Sequence, residues 1–250
     1  MDLGIAGRTA AVAAGSAGLG LASARALAAE GVRVAICGRD ADRVEAAVAG
    51  LNEIGDGAVG VVADLSSTDE ATRFVEEAVS SLGSVDILVA NAGGPPPGTF
   101  ASTDLDAYRA ALELNLLSTV AMCRAAVPAM TERGWGRVVA ITSIGAKEPL
   151  GNLMASSVAR AGVTSFVKIL SREVADKGVT VNSAQPGLHL TDRVRHLGGA
   201  GTLAENIPAR FIGDPDDFGA AVAFLCSRAA RYITGTGLLI DGGTSHGLFG

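Results

Sequence analysis

Short apolar runs, several rich in β-branched residues, alternate along the chain with longer segments whose apolar residues recur at helical spacing. The runs at 10–14, 32–37, 58–63, 85–90, 137–142, 179–184 and 237–243 read as strands, and the β-branched 32–37 as a buried parallel one. Between them, residues from about 18 to 31 are Ala/Leu-rich and helical. Residues 40–54 place Val44, Ala47, Val48 and Leu51 on one helical face, and 68–82 form a helix opened by Ser67 or Thr68. Further helices are expected at 105–133, 153–176 and 214–227. Strands that alternate with helices in this way predict an open, mostly parallel seven-stranded sheet with helices on both faces. The fold class is therefore α/β, doubly wound, built as one domain over residues 1–250 with neither linker nor repeat.

Ligands of such sheets bind beyond the carboxyl ends of the strands, and the polar turns cluster there. The first strand runs into Ala14, Gly15, Ser16, Ala17, Gly18, Leu19 and Gly20, and the first helix opens at once. Glycines in that turn permit close backbone approach, and the helix start offers unpaired N–H groups to an anion. The other turns on the edge hold Arg39, Asp64–Leu65, Asn91–Ala92–Gly93, Ser143 and Pro186–Gly187–Leu188 with Thr191. Residues 188–208 break the strand–helix rhythm and are expected to form a lid over the edge.

Composition narrows the classes. Hydrophobic residues make up 48% and charged ones 18%, as in a packed globular protein. A net charge of −6 without a basic cluster argues against a nucleic-acid surface. Cys37, Cys123 and Cys226 stand far apart in apolar contexts, so free buried thiols in a reducing compartment are expected, not disulfides or metal ligands. The N-terminus lacks a signal-peptide layout, and no apolar run of about 18 residues is evident, so a soluble cytoplasmic protein is expected.

Taken in order, the turns, with Asn115 inside a helix and Asp241–Gly242–Gly243 near the end, resemble the motifs of the short-chain dehydrogenase/reductase family over essentially the whole chain. The segments 94–98 (GPPPG) and 147–149 (KEP) are similar to its 3-oxoacyl-carrier-protein-reductase-like branch. The resemblance implies a Rossmann-like fold and a nicotinamide dinucleotide. Its pyrophosphate would lie on the 14–20 turn, its adenine between Asp64 and Leu65, and a ribose along Asn91–Gly93. Its carboxamide would lie at Leu188 and Thr191, after Pro186 and Gly187. Ala13 and Ala14 occupy the family's Thr-Gly places, with Gly15 one step later. Gly38 stands where an acid would select NAD, followed by Arg39, with Ser16 and Arg43 expected near; NADP is favoured over NAD.

The family's catalytic set is Asn, Ser, Tyr and Lys, with Tyr-x-x-x-Lys on one helix. Asn115 and Ser143 match, but Ser156 and Arg160 occupy the Tyr and Lys places. The tyrosines, Tyr108 and Tyr232, have no lysine four residues on, and the lysines are Lys147, Lys168 and Lys177. An alkanol is a far weaker acid than a phenol, and a guanidinium holds its proton. The loss of the phenol ring is expected to leave a cavity or a water beside Ser156. The expectation is an NADP(H)-dependent oxidoreductase acting on a carbonyl/alcohol of a small molecule with a non-standard proton donor. His189 or Lys147 could supply the proton, and Asn152 and Leu153 would line the substrate side. Alternatives are a non-redox isomerase or lyase and a catalytically silent regulatory protein. The helices at 105–133 and 153–176 carry more apolar surface than one face needs, and the resemblance implies a homodimer or homotetramer through them and the last strand.

Overall fold

The computed structural model describes residues 2–55, 57–195 and 200–248. Seven parallel strands form one sheet in the order β3-β2-β1-β4-β5-β6-β7. They are β1 (Thr9–Val12), β2 (Arg33–Gly38), β3 (Val59–Val62), β4 (Ile87–Ala90), β5 (Gly136–Ile141), β6 (Val179–Pro186) and β7 (Gly237–Ile240). The order reverses direction between β1 and β4, which opens a crevice at their carboxyl ends.

The helices divide between two apolar layers. α1 (Gly18–Ala29), α2 (Ala41–Asn52) and α9 (Pro215–Cys226) cover one face, with Leu27, Leu51 and Phe218 buried against Ile36, Val89 and Val139. α3 (Thr68–Leu82), α5 (Ser118–Glu132) and α6 (Met154–Val174) cover the other, with Phe74, Met122 and Val163 against Leu88, Val138 and Val181. α4 (Leu105–Ala111) precedes α5, while α7 (Asp192–Arg195) and α8 (Ala200–Glu205) follow β6. Within the expected lid at 188–208, residues 196–199 lie outside the described residues. The helix starts follow local chemistry: Asp40, Ser67, Asp104 and Asp214 each accept a backbone N–H of the first turn.

The helix expected at 105–133 is not uniform. Residues Leu112–Leu117 form a π-helical turn between α4 and α5, and Asn115 sits in it. An extra residue per turn leaves carbonyls without their ordinary helical donors, and such insertions concentrate at functional sites. Two hydroxyls cap the carbonyls here: Thr119 Oγ1 donates to Asn115 O at 2.8 Å, and Ser118 Oγ to Leu114 O at 2.6 Å. By length and composition residues 105–132 also qualify as a membrane span, contrary to the sequence expectation, yet Met122, Ala126 and Met130 lie in the core against the sheet. Cys37, Cys123 and Cys226 are free and buried, and burial pushes each thiol up to about 12.

One backbone feature at β1 was invisible in the sequence. Ala14 holds φ +46°, in the left-handed region that a β-carbon disfavours. Ala14→Gly should therefore raise unfolding stability by roughly 1 kcal/mol, measured by chemical denaturation. Unchanged or lower stability would show that Ala14 carries no strain.

Candidate active site

The turn from β1 to α1 is closed so tightly that side chains are excluded at two points. A β-carbon on Gly15 would lie 2.8 Å from Ile36 Cγ2, and one on Gly20 would collide with the Ala14 carbonyl and come within 2.9 Å of Asn91 Nδ2. Gly18 takes φ +55°, and Thr191 Cγ2 lies 3.6 Å from where its β-carbon would be. The turn thus touches Asn91 at the end of β4 and Thr191 after β6, although these residues are distant in sequence. α1 has no side-chain N-cap and no acidic residue in its first turn. Its leading N–H groups and its dipole therefore favour an anion above the turn.

Gly38 ends β2, and a β-carbon there would collide with the Ser16 hydroxyl. An acidic side chain in that corner would have to displace the Ser16 hydroxyl. Arg39 follows it, exposed, close enough for its charge to help hold the Asp64 carboxyl below the usual range. The larger cause of that depression is the Ser66 N–H, which donates to Asp64 Oδ1 at 3.0 Å. Leu65 is buried beside Asp64, and Arg43 pairs with Asp40 at 3.6 Å. The corner therefore presents one hydroxyl and one guanidinium, a pairing suited to a phosphate.

At the centre of the edge, Asn115 Nδ2 donates to Gly93 O at 2.9 Å, fixing the Asn91–Ala92–Gly93 turn to the π-helical insertion. Asn115 Oδ1 is buried and has no hydrogen-bond partner among the described residues, an orphaned acceptor at the centre of the edge. Gly187 N donates to Ile240 O at 2.9 Å, and a β-carbon on Gly187 would lie 2.8 Å from Asp241 Cα. That close approach seats the 186–191 loop, including Pro186 and Leu188, against the end of β7. The glycine cradle, the anion-favouring helix start, the phosphate corner and the orphaned Asn115 oxygen together fit a bound dinucleotide.

Ser143 follows β5 at the mouth of this crevice and is half-buried. Its Oγ accepts from Gly145 N at 3.1 Å, so the hydroxyl hydrogen is left to donate. Ser156 and Arg160 lie one turn apart on α6, both 8% exposed. Arg160 Nη1 donates to Ile141 O at 3.0 Å and Thr142 O at 2.7 Å, while its Nε donates to Ser156 Oγ at 3.4 Å. The guanidinium thus joins α6 to the end of β5, immediately before Ser143. It braces Ser156 with a positive charge.

The two candidate replacement acids, His189 and Lys147, each have a partner outside the Ser143–Ser156 pair. His189 is buried with its ring edge-on to Phe218, centroids 5.3 Å apart, and Nδ1 3.3 Å from Gly187 O. Phe218 belongs to the α1–α9 layer, whereas Ser156 belongs to α6 on the opposite face. Burial pushes the His189 imidazole below its ordinary range. His189 instead lines a cleft of about 170 Å³ with Ile207, Phe211 and Asp217. Lys147 Nζ donates to Gly237 O at 2.9 Å, an anchor to β7 that the sequence did not reveal, and burial lowers its pKa. Glu148 next to it accepts from Ser245 Oγ (3.0 Å) and from His246 N (2.7 Å) and Nδ1 (3.1 Å). Tyr108 packs on the cluster formed by Ala111, Ala155 and Ala159 between α4 and α6. Asn152 is exposed, and its carbonyl accepts Gly98 N at 2.8 Å, stitching the proline-rich turn to the start of α6.

Comparison with known proteins agrees with this architecture. A family model described as enoyl-(acyl carrier protein) reductase matches residues 13–245. Dehydrogenase/reductase SDR family member 4 of Sus scrofa is 35% identical, the match covering 96% of this chain and 88% of that protein. The 7alpha-hydroxysteroid dehydrogenase of Escherichia coli K12 is 31% identical over 97% of this chain and 96% of its own length. Among solved structures, L-sorbose reductase from Gluconobacter frateurii, complexed with NADPH and L-sorbose, superposes with TM-score 0.93 at 31% identity, covering 99% of this chain and 100% of that one. An NADPH-bound short chain oxidoreductase from Pseudomonas aeruginosa PAO1, described as containing an atypical catalytic center, superposes with TM-score 0.91 at 33% identity over 96% and 97% of the two chains. A parallel sheet in this order, a glycine cradle at its first turn and these near-complete matches lead to one conclusion: the chain belongs to the short-chain dehydrogenase/reductase family.

Proposed function

We propose that this protein is an NADP(H)-dependent oxidoreductase of small carbonyl or alcohol compounds whose proton does not come from the family's tyrosine. The observation that carries the cofactor choice is the corner at Gly38, where Ser16 fills the place of an acid and Arg39 follows. A nicotinamide, when bound, supplies or accepts a hydride. Gly15, Gly18, Leu19 and Gly20 would take its pyrophosphate, Asp64 and Leu65 its adenine, and Asn91–Gly93 a ribose. The 186–191 loop would hold its carboxamide end through Leu188 and Thr191. Ser143 would donate a hydrogen bond to the substrate oxygen, Arg160 would stabilise charge through Ser156, and Asn115 would hold the central turn in place.

Exposed apolar residues on α4 and α6, with Leu105 70% and Ile169 59% exposed, support self-association as a dimer or tetramer. The three free cysteines support a reducing, cytoplasmic setting, and the net charge of −6 supports a small-molecule partner over nucleic acid. The core packing of 105–132 supports a protein that does not use this helix as a membrane anchor.

Two measurements test the reading. Arg39→Ala should weaken NADPH binding by roughly ten- to a hundredfold in a fluorescence titration while leaving NADH unchanged, since it removes a charge-assisted contact to the 2′-phosphate. Equal losses for both cofactors would contradict the assignment. The double variant Ser156→Tyr with Arg160→Lys should raise kcat/KM for saturated ketones by about a hundredfold or more, because it restores a general acid. A variant that binds NADPH as before yet gains nothing would contradict the missing-donor account.

A further inference from the structure

The cleft beside His189 has a chemistry of its own, and neither Ser143 nor Ser156 lines it. It encloses about 170 Å³ between the end of β7 and the start of α9. Leu188, Ile207, Phe211 and Ile240 give it apolar walls, and its polar side carries His189, Asp217 and Asp241. Among the described residues, no lysine or arginine lines it. The space suits a small organic body, since an apolar cavity of about 150 Å³ holds a benzene ring.

The polar side chains offer acceptors only. His189 is 4% exposed, and its Nδ1 lies 3.3 Å from Gly187 O. A carbonyl can only accept, so Nδ1 carries the ring proton and Nε2 keeps a lone pair. Nε2 makes no hydrogen bond among the described residues. It lies against Gly213, itself part of the cleft wall, where a β-carbon would come within 3.0 Å of it. Burial keeps the imidazole neutral, although the Gly187 carbonyl and the Asp217 and Asp214 charges oppose that effect. The Asp241 carboxylate accepts Gly243 N at 2.9 Å and Ser245 N at 2.8 Å. That of Asp217 has neither a hydrogen bond nor an ion pair among the described residues.

A buried lone pair beside an unpaired carboxylate calls for a donor that carries positive charge. A metal ion is poorly served, because no group of three His, Cys, Asp or Glu side chains able to hold one occurs among the described residues. An anion would meet the Asp217 and Asp241 charges. The apolar walls favour a carbon skeleton. We propose that this cleft is a binding site for a small organic amine in its ammonium form. One ammonium N–H donates to His189 Nε2, the Asp217 carboxylate balances the charge, and the skeleton lies against Leu188, Ile207, Phe211 and Ile240. The site needs neither a dinucleotide nor turnover, so it stands or falls apart from the oxidoreductase reading.

The test is a calorimetric titration of the full chain at neutral pH with three probes of similar shape: benzylamine, benzyl alcohol and benzoate. Benzylamine should bind with a Kd of about 1 mM or tighter, roughly tenfold or more below that of benzyl alcohol, and benzoate should not bind. Asp217→Asn changes the charge of an exposed side chain and little of its shape. It should weaken benzylamine by roughly tenfold and leave benzyl alcohol unchanged. Asp69→Asn, which removes a charge at the start of α3, should alter neither. His189→Phe keeps a ring beside Phe218 but removes the lone pair, and should weaken benzylamine by roughly tenfold. Benzyl alcohol binding as tightly as benzylamine would overturn the inference. Benzylamine binding indifferent to both Asp217→Asn and His189→Phe would overturn it as well, and so would no binding of benzylamine at all.

Discussion

A guanidinium buried at the end of a parallel strand must find acceptors, and the way Arg160 finds them organises the chemistry of this molecule. Its hydrogen bonds to Ile141 O and Thr142 O pin α6 to β5 at the point where the chain turns into Ser143. A lysine at this place would put a point charge on a flexible stem, but the planar fork of arginine spans two carbonyls and a hydroxyl at once. The helix, the strand end and the serine turn are therefore fixed together. The cation is permanent and serves as a brace.

The cofactor half of the site is built on a different principle. There the decisive quantity is backbone proximity: the Gly20 corner closes on Ala14 and Asn91, Gly38 on Ser16, and Gly187 on Asp241. Each contact removes room for a side chain and draws two stretches of backbone or a hydroxyl together at the strand ends. None of these contacts includes Ser156 or Arg160 on α6. The dinucleotide frame and the Ser156–Arg160 pair are therefore built from separate contacts.

Much of this was legible in the residues. The strand runs, the glycine turn, Ser67 as a cap and the polar turns on one edge depend on local pattern, and the structure puts them where the pattern indicates. The π-helical turn around Asn115 was not legible, because a one-residue insertion leaves helical periodicity nearly intact over a segment of that length. The strain at Ala14 was hidden because alanine is at home in the strand that precedes it. The partners of Lys147 and His189, Gly237 and Phe218, were not legible because they lie far along the chain. Sequence spacing carried the frame, and tertiary contacts decided which polar side chains stayed free to act.

The central proposal is that a dinucleotide cradle faces a site whose oxyanion donors, Ser143 and Ser156, do not titrate. Single-turnover oxidation of bound NADPH by a small ketone such as cyclohexanone, followed by stopped-flow absorbance across about pH 6 to 9, measures this directly. The account predicts a rate constant that stays flat within about twofold over that range while NADPH remains saturating. A sigmoidal dependence with a midpoint inside it would reveal a titrating acid and contradict the account.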